Sequence, residues 1–268
     1  MKVASLGMYD HPAQQAANDR LWVGMARGLR AQGQADVPDT LDRDRPVQAI
    51  WRDPDLLFGQ ICGYPYAREP ALELQVLALP IYDAPGCIGD THRSVIVARR
   101  DDDVGTLSDC RGRRAAINDR GSNSGMNLFR ALVAPLAGGT TFFGEVVETG
   151  AHRDSMRAIV AHRADIAAID AVTYAALDRF EPELTRSMKI VAQSPSSPTL
   201  PFVTGRASDA RTVDALKSAL AGVLADPAFA DARATLFLAG ATEATANRFT
   251  PLLQLQRDAA AAGYPDLR

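Results

Sequence analysis

Apolar residues along the chain fall into short runs broken by polar turns, and two periods alternate. Val3 to Met8 is a mostly apolar run that stops at Tyr9-Asp10-His11-Pro12, which predicts a buried strand leaving into a loop. Ala13, Ala16, Ala17, Leu21, Trp22, Met25 and Leu29 then recur at helical spacing, with Pro12 suited to a first turn and Gly33 to a stop. Further apolar runs at 53–62, 74–79 and 94–98 predict three more strands. A second series follows: strand 113–117, a polar turn 118–125, helix 126–136, strand 142–148, helix 155–161, strand 166–169, helix 171–180 and strand 189–192. Strands alternating with helices predict an α/β fold built on a mostly parallel sheet covered on both faces. Pro195, Pro198 and Pro201 stiffen the next segment into an extended path, after which 212–224 and 247–262 are alanine-rich and helical.

Composition narrows what such a fold can serve. The chain has 268 residues, enough for one large domain or two lobes, with 47% hydrophobic and 23% charged residues, as in ordinary globular proteins. A formal net charge of −3 supplies no electrostatic reason to expect nucleic acid. The mixed-sign stretch from Arg99 to Asp103, with Arg111, Arg113 and Arg114, reads as a solvated surface. No run approaches the roughly 18–20 apolar residues of a membrane span, so no membrane insertion is expected. The first residues lack the apolar core of a secretory leader, which points to the cytoplasm or to a leader missing from this sequence. Cys62, Cys87 and Cys110 match no zinc spacing. Cys62 and Cys87 both fall in loops after apolar runs and would pair if adjacent strands end side by side; ordinary thiols are the other reading.

The stretch richest in chemistry is Ile117-Asn118-Asp119-Arg120-Gly121-Ser122-Asn123-Ser124-Gly125-Met126, where a strand passes through glycines and hydroxyls into a helix. The first N–H groups of a helix have no internal acceptors and the dipole there is positive, so the turn suits a phosphate, phosphonate, sulfate or carboxylate. Plain capping by Ser122 or Ser124 explains the same serines. The dipole contributes about 0.3–2 kcal/mol, against roughly 8 kcal/mol for micromolar binding, so other loops must help. His152, in Thr149-Gly150-Ala151-His152, is either an anion donor or a cap of its own helix. Asp170 is either the N-cap of the next helix or a receptor for a cationic or hydroxyl group. Tyr9, Tyr64 and Tyr82 follow strand ends, where open α/β sheets bind ligands. Nucleophile-elbow, phosphate-loop, dinucleotide and zinc-protease motifs are all missing, and the four histidines are dispersed. Neither catalytic residues nor a metal or other cofactor are therefore expected.

Taken together, Leu107-Ser108-Asp109-Cys110-Arg111-Gly112-Arg113-Arg114-Ala115-Ala116-Ile117-Asn118 and Ser122-Asn123-Ser124-Gly125 resemble the phosphonate-binding branch of ABC-importer solute-binding proteins. Thr149 to His152, Arg163 to Asp170, then Ser194, Pro195 and Pro198 continue that resemblance, which covers about 90 to 205. It implies a type 2 periplasmic-binding fold, with lobe 1 at 1–94, lobe 2 at 95–200, a return to lobe 1 at 201–268, two crossing segments, and an inter-lobe cleft that closes on the ligand. It also implies that Ser122, Ser124, Gly125 and His152 hold a phosphonate or phosphate group, with Asn123 standing where the family often has threonine. A monomer working with a membrane permease at the cell envelope follows from the same resemblance. The rivals are a cytoplasmic enzyme on this fold, resembling menaquinone-pathway dehydratases and synthases, with His152 or Asp170 as acid or base, and a ligand-sensing module.

Overall fold

The computed structural model describes residues 2–268, so Met1, the first residue of the would-be leader segment, lies outside it. Among the described residues the strands run in chain order: β1 Val3–Ser5, β2 Leu56–Gln60, β3 Gln75–Tyr82, β4 Thr91–His92, β5 Ser94–Arg99, β6 Arg114–Ile117, β7 Glu145–Glu148, β8 Ile166–Asp170, β9 Met188–Gln193, β10 Ser197–Pro198, β11 Phe202–Thr204 and β12 Leu238–Thr242. The chain divides into two units. The first holds residues up to Asp83, Ile88–Asp90 and Pro198–Arg248; the second holds Ala84–Cys87, Thr91–Ser197 and Phe249–Arg268.

Unit 1 is built on a five-stranded sheet in the order β1-β2-β11-β3-β12. β1 runs parallel to β2, whereas β11 is antiparallel to both β2 and β3, and β12 is antiparallel to β3. Its core is aromatic: Trp22 stacks on Phe58 at 6.0 Å between ring centres, and Phe58 on Phe202 at 5.3 Å. The Trp22 indole N–H donates to the Pro38 carbonyl at 3.1 Å, which satisfies the one polar atom of that buried ring. The Gln15–Ala31 helix packs on the Ala210–Ala225 helix, and glycine is required where they meet. A Cβ on Gly24 would stand 2.4 Å from the Phe229 ring and 2.7 Å from Val223. Gly24→Ala is therefore expected to destabilise unit 1 by about 1–3 kcal/mol, as overpacking does, measured as a lower urea midpoint at unchanged slope. An unchanged midpoint would show that this helix pair can separate at no cost.

Unit 2 carries a second five-stranded sheet, in the order β7-β6-β8-β5-β9. β6 is parallel to β7 and β8, while β5 is antiparallel to β8 and β9. Val95, Val97, Ala116, Ala167 and Ile169 on the sheet pack with Met156, Ile159 and Leu177 from flanking helices. Every residue of β8 is buried, which explains its unbroken apolar run in the sequence.

Three expectations need correction. The sheets are mixed and not mostly parallel, because β5 and β11 each follow a change of unit and not a crossover helix within their own sheet, and only such a crossover makes neighbours parallel. Residues 249–268, expected to close the first lobe, belong to unit 2. There the Thr250–Ala261 helix packs on Leu128–Ala137, and the carbonyl of Arg268 accepts from the N–H groups of Phe142 at 2.7 Å and Phe143 at 3.0 Å. Those two phenylalanines thus sit in a core turn ahead of β7 instead of starting the strand. Finally, Cys62 and Cys87 form no disulfide. Cys62 is packed into the apolar cluster of Ile50, Trp51, Leu56 and Val203 in unit 1, while Cys87 belongs to unit 2. Burial, and then the nearby charge of Asp170, push the Cys87 thiol up to about 12, so it is a poor thiolate at neutral pH.

The charged stretch after β5 also differs from a simple solvated face. Arg113 and Arg99 converge on Asp102 at 3.0 and 3.5 Å, and the Asp102 side chain is 6% exposed.

Candidate functional site

The site in unit 2 starts where β6 ends. The Ile117 carbonyl accepts from the Thr149 N–H at 2.9 Å and the Asn118 carbonyl from the Gly150 N–H at 2.9 Å, which draws the 149–152 loop alongside the serine turn. Ser122 then caps that turn, its Oγ accepting from the Gly125 N–H at 3.0 Å. The following residues, Asn123–Asn127, make one wide turn in which the Asn127 N–H reaches back to the Ser122 carbonyl at 3.0 Å, ahead of the Leu128–Ala137 helix. Such i to i+5 turns inside helices concentrate at functional sites.

Most polar groups of the turn are committed to holding it. Asn123 donates from Nδ2 to Ser197 Oγ at 3.0 Å and accepts from Asn127 Nδ2 at 3.1 Å. Asn127 also donates to the Leu252 carbonyl at 3.1 Å, which ties the turn to the C-terminal helix. Ser94 Oγ on β5 donates to the Ser124 carbonyl at 2.8 Å. The Ser124 hydroxyl is not used in holding the turn: buried with the rest, its Oγ pairs with His152 Nε2 at 3.1 Å. The backbone N–H of Ser124 stands in the first turn, where no intrahelical acceptor exists. Gly125 is required there: a Cβ would stand 1.8 Å from Asn118 Oδ1 and 3.1 Å from His152 Cε1.

His152 opens the His152–Val160 helix without capping it, since Ala151 holds the cap position. The capping alternative is thereby replaced by a contact with Ser124. Burial pulls the His152 pKa below its ordinary 6.5, opposed by the charge of Asp170 and the Ala168 backbone, so the ring is neutral over most of the physiological range. Asp170 does cap its helix, its Oδ1 accepting from the N–H groups of Val172 at 2.9 Å and Thr173 at 3.2 Å. Its other oxygen lies 2.9 Å from His92 Nδ1, and both side chains are buried. Burial alone would raise the Asp170 pKa, but the charge and hydrogen bond of His92, then His152 and the helix N–H groups, hold it at about 2.

The tyrosines lie in unit 1. Tyr9 and Tyr82 meet edge to face at 5.4 Å and 82°, and Tyr82 Oη accepts from Gln60 Nε2 at 2.9 Å. Asn18 donates to the Tyr9 carbonyl at 2.9 Å and to Asp10, which Arg43 also grips at 2.7 Å. Tyr64 is fully enclosed in the Gly63–Arg68 helix with the Arg68 guanidinium over its ring at 5.4 Å, as a packing residue would be. The structure thus gathers Ser122, Asn123, Ser124, Gly125, His152 and Asp170 in unit 2. It adds His92, Ser94, Asn118 and Ser197, which sequence reading had not assigned to a site. Their common signal is position beside strand ends, and nothing in their local sequence marks them out. Among the described residues, no group of histidines, cysteines or carboxylates forms a metal-binding cluster, and no helix is long and apolar enough to cross a membrane.

This two-unit α/β architecture is that of the periplasmic binding proteins. The family model described as "ABC transporter, phosphonate, periplasmic substrate-binding protein" matches residues 55–249, and the chain belongs to that family. Solved structures agree on the fold. A binding-protein component of an ABC phosphonate transporter from Pseudomonas aeruginosa superposes with a TM-score of 0.74 at 17% identity, covering 91% of this chain and 82% of that one. PhnD1 from Prochlorococcus marinus, in complex with methylphosphonate, gives 0.72 at 14% identity, over 96% and 97%. XAC2383 from Xanthomonas citri, bound to ATP, gives 0.70 at 17% identity, over 98% and 97%. No curated protein sequence matches the chain significantly.

Proposed function

We propose that the chain is the substrate-binding component of an ABC importer and that its unit 2 receives the oxyanion end of a small phosphonate or related ligand. The observation that carries this reading is the Ser124 Oγ and His152 Nε2 pair, 3.1 Å apart at the entry to a helix. The Ser124 hydroxyl, the first-turn N–H groups and the His152 ring in the tautomer that carries its proton on Nε2 can all donate to a tetrahedral oxyanion. Two of the similar structures support the ligand class, one being a phosphonate-transporter component and the other a methylphosphonate complex.

A binding role is favoured over a nucleophilic one by the position of the carboxylate. Asp170 spends its oxygens on a helix terminus and on His92, whereas a serine nucleophile needs a third group that orients its histidine base. By its family the protein works outside the inner membrane with a permease, and we place it there.

Calorimetry of methylphosphonate binding tests the reading. Ser124→Ala removes one donor to a charged group, a change of about 1.5–3 kcal/mol, so the affinity should fall roughly 10- to 100-fold while the melting midpoint stays put. An unaltered affinity in this variant would remove Ser124 from the site.

A further inference from the structure

Asp170 lies near the proposed oxyanion site in unit 2, close enough for its charge to act on His152, and sequence reading left it open as a receptor for a cationic or hydroxyl group. Its surroundings answer that question. Oδ1 accepts two helix N–H groups, from Val172 and Thr173, and Oδ2 faces His92 Nδ1 at 2.9 Å. The carboxylate is 2% exposed, so these partners compensate its charge out of reach of bulk water. An ammonium arriving on a ligand would have to displace the imidazole, leaving a buried ring without its partner, and such uncompensated burial is costly.

His92 is the unusual member of the pair. Its side chain is 0% exposed, and with Nδ1 turned to Asp170 the ring's other nitrogen, Nε2, is buried with no partner among the described residues. Buried polar atoms are nearly always paired. The ring is also close enough to His152 to act on its charge, and β5 binds the pieces together: Ser94 is opposite Asp170 in the sheet and donates to the Ser124 carbonyl. His92, two residues ahead of Ser94, is therefore linked to the serine turn through that residue and through Asp170, with one ring nitrogen unclaimed.

We infer that His92 is a specificity residue: by occupying Asp170, it selects phosphonates that carry no ammonium group. This rests on the oxyanion reading of Ser124 and His152 given above. The ligand class that fits is a short alkylphosphonate or inorganic oxyanion, and aminoalkylphosphonates are disfavoured.

The test compares methylphosphonate with 2-aminoethylphosphonate by calorimetry, using the whole chain. The wild type should bind methylphosphonate at least about ten-fold more tightly. His92→Leu leaves the Asp170 charge without its imidazole partner, so the ratio of the two affinities should shrink or invert, whereas His92→Gln, which keeps an N–H donor for the carboxylate, should hold the wild-type order. The ratio separates selection from a structural role, because simple loosening weakens both ligands alike. Should His92→Leu fail to fold, the wild-type ratio and His92→Gln still decide. A wild type that binds both ligands equally, or prefers the amine, overturns the inference while leaving the oxyanion site standing. Parallel losses in His92→Leu at constant ratio overturn it as well, and a wild type that binds neither phosphonate overturns both readings.

Discussion

Gly125→Ala is expected to abolish measurable phosphonate binding and to destabilise unit 2. The added methyl would stand 1.8 Å from Asn118 Oδ1 and 3.1 Å from His152 Cε1, well inside van der Waals contact. Relief requires the serine turn to move away from the 149–152 loop, which separates Ser124 from His152. Overpacking of this kind costs about 1–3 kcal/mol in stability, and loss of the paired donors should weaken methylphosphonate by at least roughly 100-fold. Asn118→Ala in the same chain removes the atom struck first, so the double variant should recover stability beyond the sum of the two single changes. Calorimetry and urea unfolding read both effects. Wild-type affinity in Gly125→Ala would mean that the turn is not packed against Asn118 and His152 as described.

The second large effect concerns Asp170. Asp170→Ala leaves the buried His92 ring without its partner and the Ala171–Phe180 helix without its cap, losses of about 1–3 kcal/mol and about 0.5–2 kcal/mol, together a large part of a typical domain's stability. The carboxylate titrates at about 2 in the folded protein against an ordinary 3.8. A carboxylate whose folded pKa is depressed contributes stability that is complete above its unfolded pKa and is lost as pH falls through the folded one. Here that places a loss of about 2 kcal/mol between roughly pH 4 and pH 2. Asp170→Asn keeps an oxygen for the cap but carries no charge, so its stability should lack this acid limb. Urea unfolding midpoints measured from pH 2 to pH 6 in the two proteins provide the check, and parallel curves would show that the pair contributes no such stability.

The parts of the molecule legible in the sequence were those governed by local rules. The Gln15–Ala31 helix follows from apolar residues at helical spacing, and a polar turn leading into a helix from the serines and glycines after β6, although the wide turn at Asn123–Asn127 runs past the expected helix start at 126. β8 was readable because a strand buried on both faces is continuously apolar. Strand direction was not readable, since it depends on which unit the chain has just left, and β5 and β11 look locally like any other strand. The assignment of residues 249–268 failed for a related reason: the terminal carbonyl of Arg268 meets Phe142 and Phe143 through a contact more than a hundred residues away in sequence. In the candidate site, Ser124 and His152 were singled out from their loops, but their approach to 3.1 Å is made by the pairing of Ile117 with Thr149 and Asn118 with Gly150. His92 did not stand out because its contact with Asp170 is made by burial, which no local pattern encodes.

The central claim is that the serine turn of unit 2, with His152, holds a phosphonate-type anion without transforming it. Titration of protein labelled with nitrogen-15 by methylphosphonate, with the phosphorus spectrum of the ligand followed alongside, tests it most directly. The account predicts saturable shifts of the Ser124 amide and the His152 ring nitrogens with one common affinity, and a ligand recovered unchanged. Shifts confined to other residues, the lack of any saturable shift, or a new phosphorus signal from a product would contradict it.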